Sequence, residues 1–242
     1  MNVPTYSEIA RELIAALELD PRIDTRSFPI EVQEQEDRLV MEGTVANIAA
    51  KKLALRIAQR VCGACPVLDR LHVLASKMED GQIQAEVVNA LMLDPTFAEY
   101  GIRARREGDF EIWRVTRSIH NENIDIEVSD GVVSLVGRVG SLAHRRLAEV
   151  LVWWTAGCEL VENRLRVVPP EKEGDTELSD AIRMVLERDP LVHARQISVA
   201  VNHGEVTLNG FVASDEERRL AVLDAWYVPG VREVVDKIQA RY

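Results

Sequence analysis

The sequence is poor in aromatic residues (5 %), holds only three cysteines, and carries neither a long hydrophobic run nor an excess of positive charge. Its longest apolar stretch, around 148–156, is interrupted by Glu149 and falls far short of the roughly 20 residues a spanning helix needs. An odd cysteine count fits a reducing compartment better than a disulfide framework. The opening residues Met1-Asn2-Val3-Pro4-Thr5-Tyr6-Ser7 lack a basic segment followed by an apolar one. A cytoplasmic chain is therefore expected, at most peripheral to the inner membrane. Lysine and arginine number 29 against 40 aspartates and glutamates, a net charge of −11. That balance speaks against a protein devoted to nucleic acid. Gly-x-Ser-x-Gly elbows, P-loops and dinucleotide fingerprints are missing, and His72, His120, His144, His193 and His203 show no ligand spacing. The expectation is a chain without enzymatic activity, cofactor or metal.

What the sequence does hold is a repeat. Residues 30–73, 124–167 and 197–240 align without a gap, bringing Gly43, Gly137 and Gly210 into one column and Gly63, Gly157 and Gly230 into another. Apolar residues alternate with period two around the first column, as in half-buried strands: Leu39, Met41 and Val45; Val133, Leu135 and Val139; Val206, Leu208 and Val212. Between paired strands lie Asp130-Gly131 and His203-Gly204, residues suited to a tight turn with positive φ, and Asp37 takes the glycine place in the first copy. Asn47, Ser141 and Ser214 then sit where a helix N-cap is needed, and Ser214 with Glu217 spells a capping box. The helices bury Leu53, Ala54, Ile57 and Ala58; Leu147, Ala148, Leu151 and Val152; Leu220, Ala221, Asp224 and Ala225. Asp224 is the polar intruder. A further amphipathic helix precedes each copy and is closed by Asp20-Pro21, Asp94-Pro95 or Asp189-Pro190, since proline cannot continue a helix. The expected fold is α+β: three tandem αββαβ units, each a small mixed sheet with two helices on one face, spanning 1–77, 78–170 and 171–242.

The stretches Asp130-Gly131-Val132-Val133-Ser134-Leu135-Val136-Gly137-Arg138-Val139, Gly204-Glu205-Val206-Thr207-Leu208-Asn209-Gly210-Phe211-Val212 and Val228-Pro229-Gly230-Val231-Arg232-Glu233-Val234 resemble the BON domain, a bacterial module with this order of elements. The third copy is the nearest match; the first departs at Glu34, Asp37 and Ala64. The resemblance implies a non-catalytic binding module, of a family associated with envelope proteins, osmotic stress and the binding of phospholipid or small ions. Its motifs are turn glycines and core residues, so no functional side chain transfers from them.

About 20 residues are inserted in the second copy, between Phe97 and Asn123, and long insertions of this kind are often functional. Two readings stand. In a hairpin, Tyr100, Ile102 and Ala104 pair with Phe110 and Ile112 across Glu107-Gly108-Asp109; in a helix capped by Asp109, Ile112, Val115 and Ile119 form the stripe. The plain role for the insert is to cover the sheet face bearing Val132 and Val136. The functional one makes Arg103, Arg105, Arg106 and Trp113 a contact for a membrane surface or a protein partner. The aromatic pairs Trp153-Trp154 and Trp226-Tyr227 are expected at an interface between repeats, one ring of each sealing the core.

Other features read as structural. Cys62-Gly63-Ala64-Cys65 follows a helix C-terminus, where the dipole disfavours a thiolate, and Cys158 reads as a small buried hydrophobe. Gly137-Arg138-Val139-Gly140 is similar to the KH-type loop, but the other copies lack its second glycine, and nucleic acid is not expected. Glu31, Glu34, Glu36 and Asp37 make a solvated acidic turn. The function expected is a binding or adaptor protein docking a membrane surface or a protein partner; the alternative is a sensor that holds a small ion or solute between repeats. Unpaired strand edges make a homo-oligomer an expectation too.

Overall fold

The structure is a computed structural model that describes residues 5–35, 37–106 and 108–241; Glu36 of the acidic turn and Glu107 of the insert lie outside the described residues. The chain forms two compact units, Met1–Leu74 and Ala75–Tyr242. Among the described residues six α-helices and three small mixed sheets repeat one pattern.

In the first unit, α1 (Tyr6–Leu19), β1 (Ile30–Gln35), β2 (Arg38–Val45), α2 (Ile48–Cys62) and β3 (Val67–Val73) follow in that order. β1 pairs antiparallel and β3 parallel to the central β2. The alternate residues Leu39, Met41 and Val45 are buried with Leu13 and Leu17 of α1 and Leu53 and Ala54 of α2. Thr5 and Glu8 close a capping box on α1, and Asn47 Oδ1 accepts from Ala50 N–H at 3.0 Å to start α2.

The second unit holds the other two copies. The second comprises α3 (Asp80–Leu93), β4 (Gly101–Arg106), β5 (Asp109–Arg114), β6 (Asn123–Ser129), β7 (Val132–Val139), α4 (Leu142–Trp153) and β8 (Leu160–Val167). The third comprises α5 (Asp175–Arg188), β9 (Ile197–Asn202), β10 (Glu205–Val212), α6 (Asp215–Tyr227) and β11 (Glu233–Ala240). Ser141 and Ser214 hydroxyls cap α4 and α6, at 3.0 Å from His144 N and 3.2 Å from Glu217 N. The return half of the expected Ser214–Glu217 box differs. The Glu217 carboxylate accepts instead from Ala213 N at 2.9 Å and His193 N at 2.8 Å. These bonds outweigh the cost of burial and hold it below the usual carboxylate range.

The turns behave as their residues require. Asp130 and Gly131 have φ of 51° and 75°, His203 and Gly204 50° and 78°, the geometry of a two-residue hairpin. Sequence alone did not show what holds these turns. Asp80, first residue of α3, accepts from the N–H groups of Asp130 and Gly131 at 2.9 and 3.0 Å; Asp175, first residue of α5, does the same for His203 and Gly204 at 2.7 and 3.1 Å. In the first copy Tyr6 stands in that place, and its hydroxyl donates to the Asp37 carbonyl at 2.8 Å.

The insert is a hairpin. β4 runs parallel to β6, so the second sheet has five strands in the order β5-β4-β6-β7-β8. The alternative helical stripe is not formed, and Ile112, Val115 and Ile119 are exposed. The pairing also differs from the expected one: Arg105 faces Phe110, Ala104 faces Glu111, Arg103 faces Ile112, and after a bulge Ile102 faces Arg114. The parity is set by Ile102 and Ala104, both buried. Nor does the insert cover Val132 and Val136. It extends the sheet sideways, because a strand's N–H and C=O groups find partners in a ladder and not over a face, and Val136 stays 45 % exposed.

Candidate binding groove beside the hairpin

Arg114 ties the far end of the hairpin to the body of the second repeat. Its guanidinium donates to the carbonyls of Tyr100, Met92 and Phe97 at 2.8, 3.3 and 2.5 Å, so the positive charge lies at the C-terminal end of α3, where the helix dipole favours it. Gln84 of α3 donates to the Arg105 carbonyl at 2.8 Å. Beneath, Gly140 N–H donates to the Tyr100 hydroxyl at 2.9 Å, and the same hydroxyl is hydrogen-bonded to His144 Nδ1 at 2.7 Å. Burial pushes the His144 pKa down.

Between α3 and the hairpin runs a groove of about 500 Å³, whose lining includes Gln84, Ala85, Val88, Arg106, Trp113 and Val128. Trp113 is 48 % exposed. The outer wall is β5, an edge strand. On the opposite face of the sheet a smaller cleft of about 230 Å³ touches Arg103, Ile112 and Asn123. The expected cluster is thus divided: Arg106 and Trp113 line the groove, Arg103 belongs to the other face, and Arg105 lines the groove while its guanidinium reaches Glu127 of β6.

Each of the three arginines has a carboxylate. Arg103 binds Asp125 through two nitrogens at 2.7 and 2.5 Å, Arg105 lies 3.6 Å from Glu127, and Arg106 lies 3.6 Å from Glu111. Arg103 and Arg105 also sit over the Phe110 ring, 5.2 and 5.9 Å from its centroid. Composition could show the arginines but not these partners, which depend on the register of β4 against β5 and β6.

The aromatic pairs differ between the copies. Trp226 is buried and Tyr227 half-buried, whereas Trp153 and Trp154 are both half-buried, since α4 ends at Trp153. Burial raises the Tyr227 phenol, with Asp224 and the Cys158 thiol of the second repeat among the neighbours that add to it. Cys158 is itself pushed up to about 12, and Cys62 to about 11, both by burial. Neither thiol is poised as a nucleophile. No cluster of three or more metal-ligating side chains occurs among the described residues.

The three Asp-Pro aspartates meet three different partners. Asp20 pairs with Arg22 at 2.7 Å. Asp94, buried, pairs across the repeats with Arg188 of α5 at 2.7 Å. Asp189 meets the buried Asp224, whose Oδ2 has no hydrogen-bond partner among the described residues. Burial, with the Asp189 carboxyl adding to it, pushes Asp224 up to about 8. The folded chain then keeps a proton that the unfolded chain releases near the ordinary value of 3.8. The contribution of Asp224 is fully present below that value and is lost as pH rises to about 8. Ile57 and Leu151 fill this slot in the other copies. Asp224→Leu is expected to stabilise the chain by about 1–3 kcal/mol at pH 9 and by progressively less towards pH 4, as urea titrations at the two pH values will show.

The BON domain family model matches residues 5–75, 114–169 and 174–242. The chain belongs to the BON domain family. Strand β4 and all of β5 but Arg114 lie between the first two matched segments, so one wall of the groove comes from residues outside the matched BON segments. The BON domain is a non-catalytic, binding-type module. No curated protein matches the chain. Solved structures that align with it include two of CdsD, a structural protein of the type III secretion system of Chlamydia trachomatis. One, its C-terminal domain, has 14 % identity over 99 % of this chain and 100 % of that one, with a TM-score of 0.25. The other has 15 % identity over 94 % and 90 %, with a TM-score of 0.24. No helix among the described residues is long and apolar enough to cross a membrane.

Proposed function

We propose that this BON-repeat chain is a non-catalytic adaptor whose second repeat takes a protein partner at the inserted hairpin. The observation that carries the reading is the juxtaposition of an open strand edge, β5, with an apolar-floored groove holding a half-exposed tryptophan. An extended segment of another chain can add to such an edge through its backbone and place alternate side chains in the adjoining groove. The charge pattern favours a protein over an anionic bilayer as the partner: Arg103, Arg105 and Arg106 are each neutralised within the sheet. A cytoplasmic location accords with this reading.

Selection of extended peptides from a random library tests it. Binding is expected to fall at least tenfold in Trp113→Ala, and in Ile112→Pro, which blocks the edge, and to persist in Phe211→Ala of the third repeat. Retention in both hairpin variants would overturn the reading. Pelleting with anionic vesicles, abolished by Arg103→Glu with Arg105→Glu and Arg106→Glu, would put a membrane surface in the partner's place; hairpin-dependent self-association would put a second copy there.

A second reading, a small solute held between repeats, is supported by a cleft at the junction of the second and third copies.

A further inference from the structure

One position holds a cation in all three copies, with a carboxylate partner in two of them. In the first, Lys51 Nζ lies 3.1 Å from Asp69; in the third, Arg218 Nε lies 2.7 Å from Asp236. The aligned residues in the second are Arg145 and Asn163. There the carboxylate is replaced by an amide whose nitrogen donates to the Arg145 carbonyl at 2.9 Å and to Glu149 at 3.0 Å. Arg145 has thus lost the carboxylate that its counterparts keep.

Beside it stands a second cation. Arg146 of α4 is only 7 % exposed, and its Nη1 has no hydrogen-bond partner among the described residues. The Pro229-Gly230 turn of the third repeat lies against it, with Nη2 3.6 Å from where a side chain on Gly230 would begin. Lys52 and Arg219, which align with it, are not buried. An unmatched buried guanidinium donor is costly. Arg145, Arg146, Asn163 and Gly230 line a cleft of about 90 Å³, together with Glu149, already bonded to Asn163, and the exposed Glu173. That is room for a few waters or one small anion.

We infer that this cleft binds a small oxyanion, a phosphate or a carboxylate, which occupies the place of the missing aspartate and joins the second repeat to the third. A guanidinium matches such oxyanions through paired N–H donors. The inference rests on the second reading above and gives it a ligand class and residues. Glu173, and after it Glu177 and Glu171, are the chain's own competitors for Arg146, Glu171 being already bonded to Leu142 N–H.

Thermal unfolding and calorimetric titration of the full chain with inorganic phosphate or acetate, against chloride at equal ionic strength, test it. At 100-fold excess over Kd, a rise of about 5 °C is expected. Arg146→Met is expected to weaken binding at least tenfold, and Glu173→Gln to keep or strengthen it. Asn163→Asp, which restores the carboxylate of the other copies without removing a cation, is expected to weaken it at least tenfold and so serves even if Arg146→Met does not fold. No response to either anion, or an unchanged response in Asn163→Asp, would overturn the inference. A rise with potassium or calcium alone would overturn it while leaving the solute reading standing; no rise with any of the four ends both.

Discussion

Gly137→Ala is expected to lower the stability of the second unit by about 2–6 kcal/mol, a large share of the roughly 5–15 kcal/mol of an ordinary domain. Two costs add. Gly137 has φ of 142°, a region that side chains avoid at a cost of about 1–3 kcal/mol. A Cβ there would also overlap the carbonyl oxygen of Asn123 on the neighbouring strand, and making room by moving backbone costs about 1–3 kcal/mol more. Gly43 and Gly210 share the geometry, meeting the carbonyls of Pro29 and Gln196, so the column of glycines in the sequence is a column of close strand approaches. Gly108 is the control. Its φ is 97° with nothing within 4 Å of an added Cβ, and Gly108→Ala is expected to cost about 1–3 kcal/mol, from backbone strain alone. Urea denaturation of both variants measures the difference.

Arg188→Met is expected to cost about 3–5 kcal/mol, because it strands the Asp94 carboxylate, 4 % exposed, away from water and from its cation. Arg188 also donates to the Thr96 hydroxyl at 2.9 Å, so the same residue fastens the third repeat to the turn closing α3 of the second. Most of the loss belongs to the unmatched charge and not to the bond itself. Arg188→Met combined with Asp94→Asn is therefore expected to recover a large part of the stability. A melting temperature about 10 °C lower in the single variant, with faster amide exchange at both α3 and α5, is the expected signature; an unchanged melting temperature would show that the pair is not buried in solution.

The repeat was legible because its signals are local. Period-two alternation, turn glycines, N-cap serines and Asp-Pro stops each act within a few residues, and each appears in three copies that check one another. The insert was half legible: a hairpin could be written down, but its register depends on a bulge after Ile102 and on which residues α3 buries. Pairing decides electrostatics, so the neutralisation of Arg103, Arg105 and Arg106 was out of reach of composition. Contacts between repeats were less legible still. Arg188 gives no sign in sequence that it belongs to Asp94, 94 residues away. One signal lies in the repeat itself: Asp69, Asn163 and Asp236 share an alignment column, and the odd amide marks the cleft at Arg146.

The adaptor reading stands or falls on the hairpin, and amide hydrogen exchange measures its edge directly. With a selected peptide bound, protection is expected to rise across β5 (Asp109–Arg114) and in α3 around Gln84–Val88, with β9–β11 unchanged. Protection appearing elsewhere, with β5 exchanging as fast as in the free chain, would contradict it.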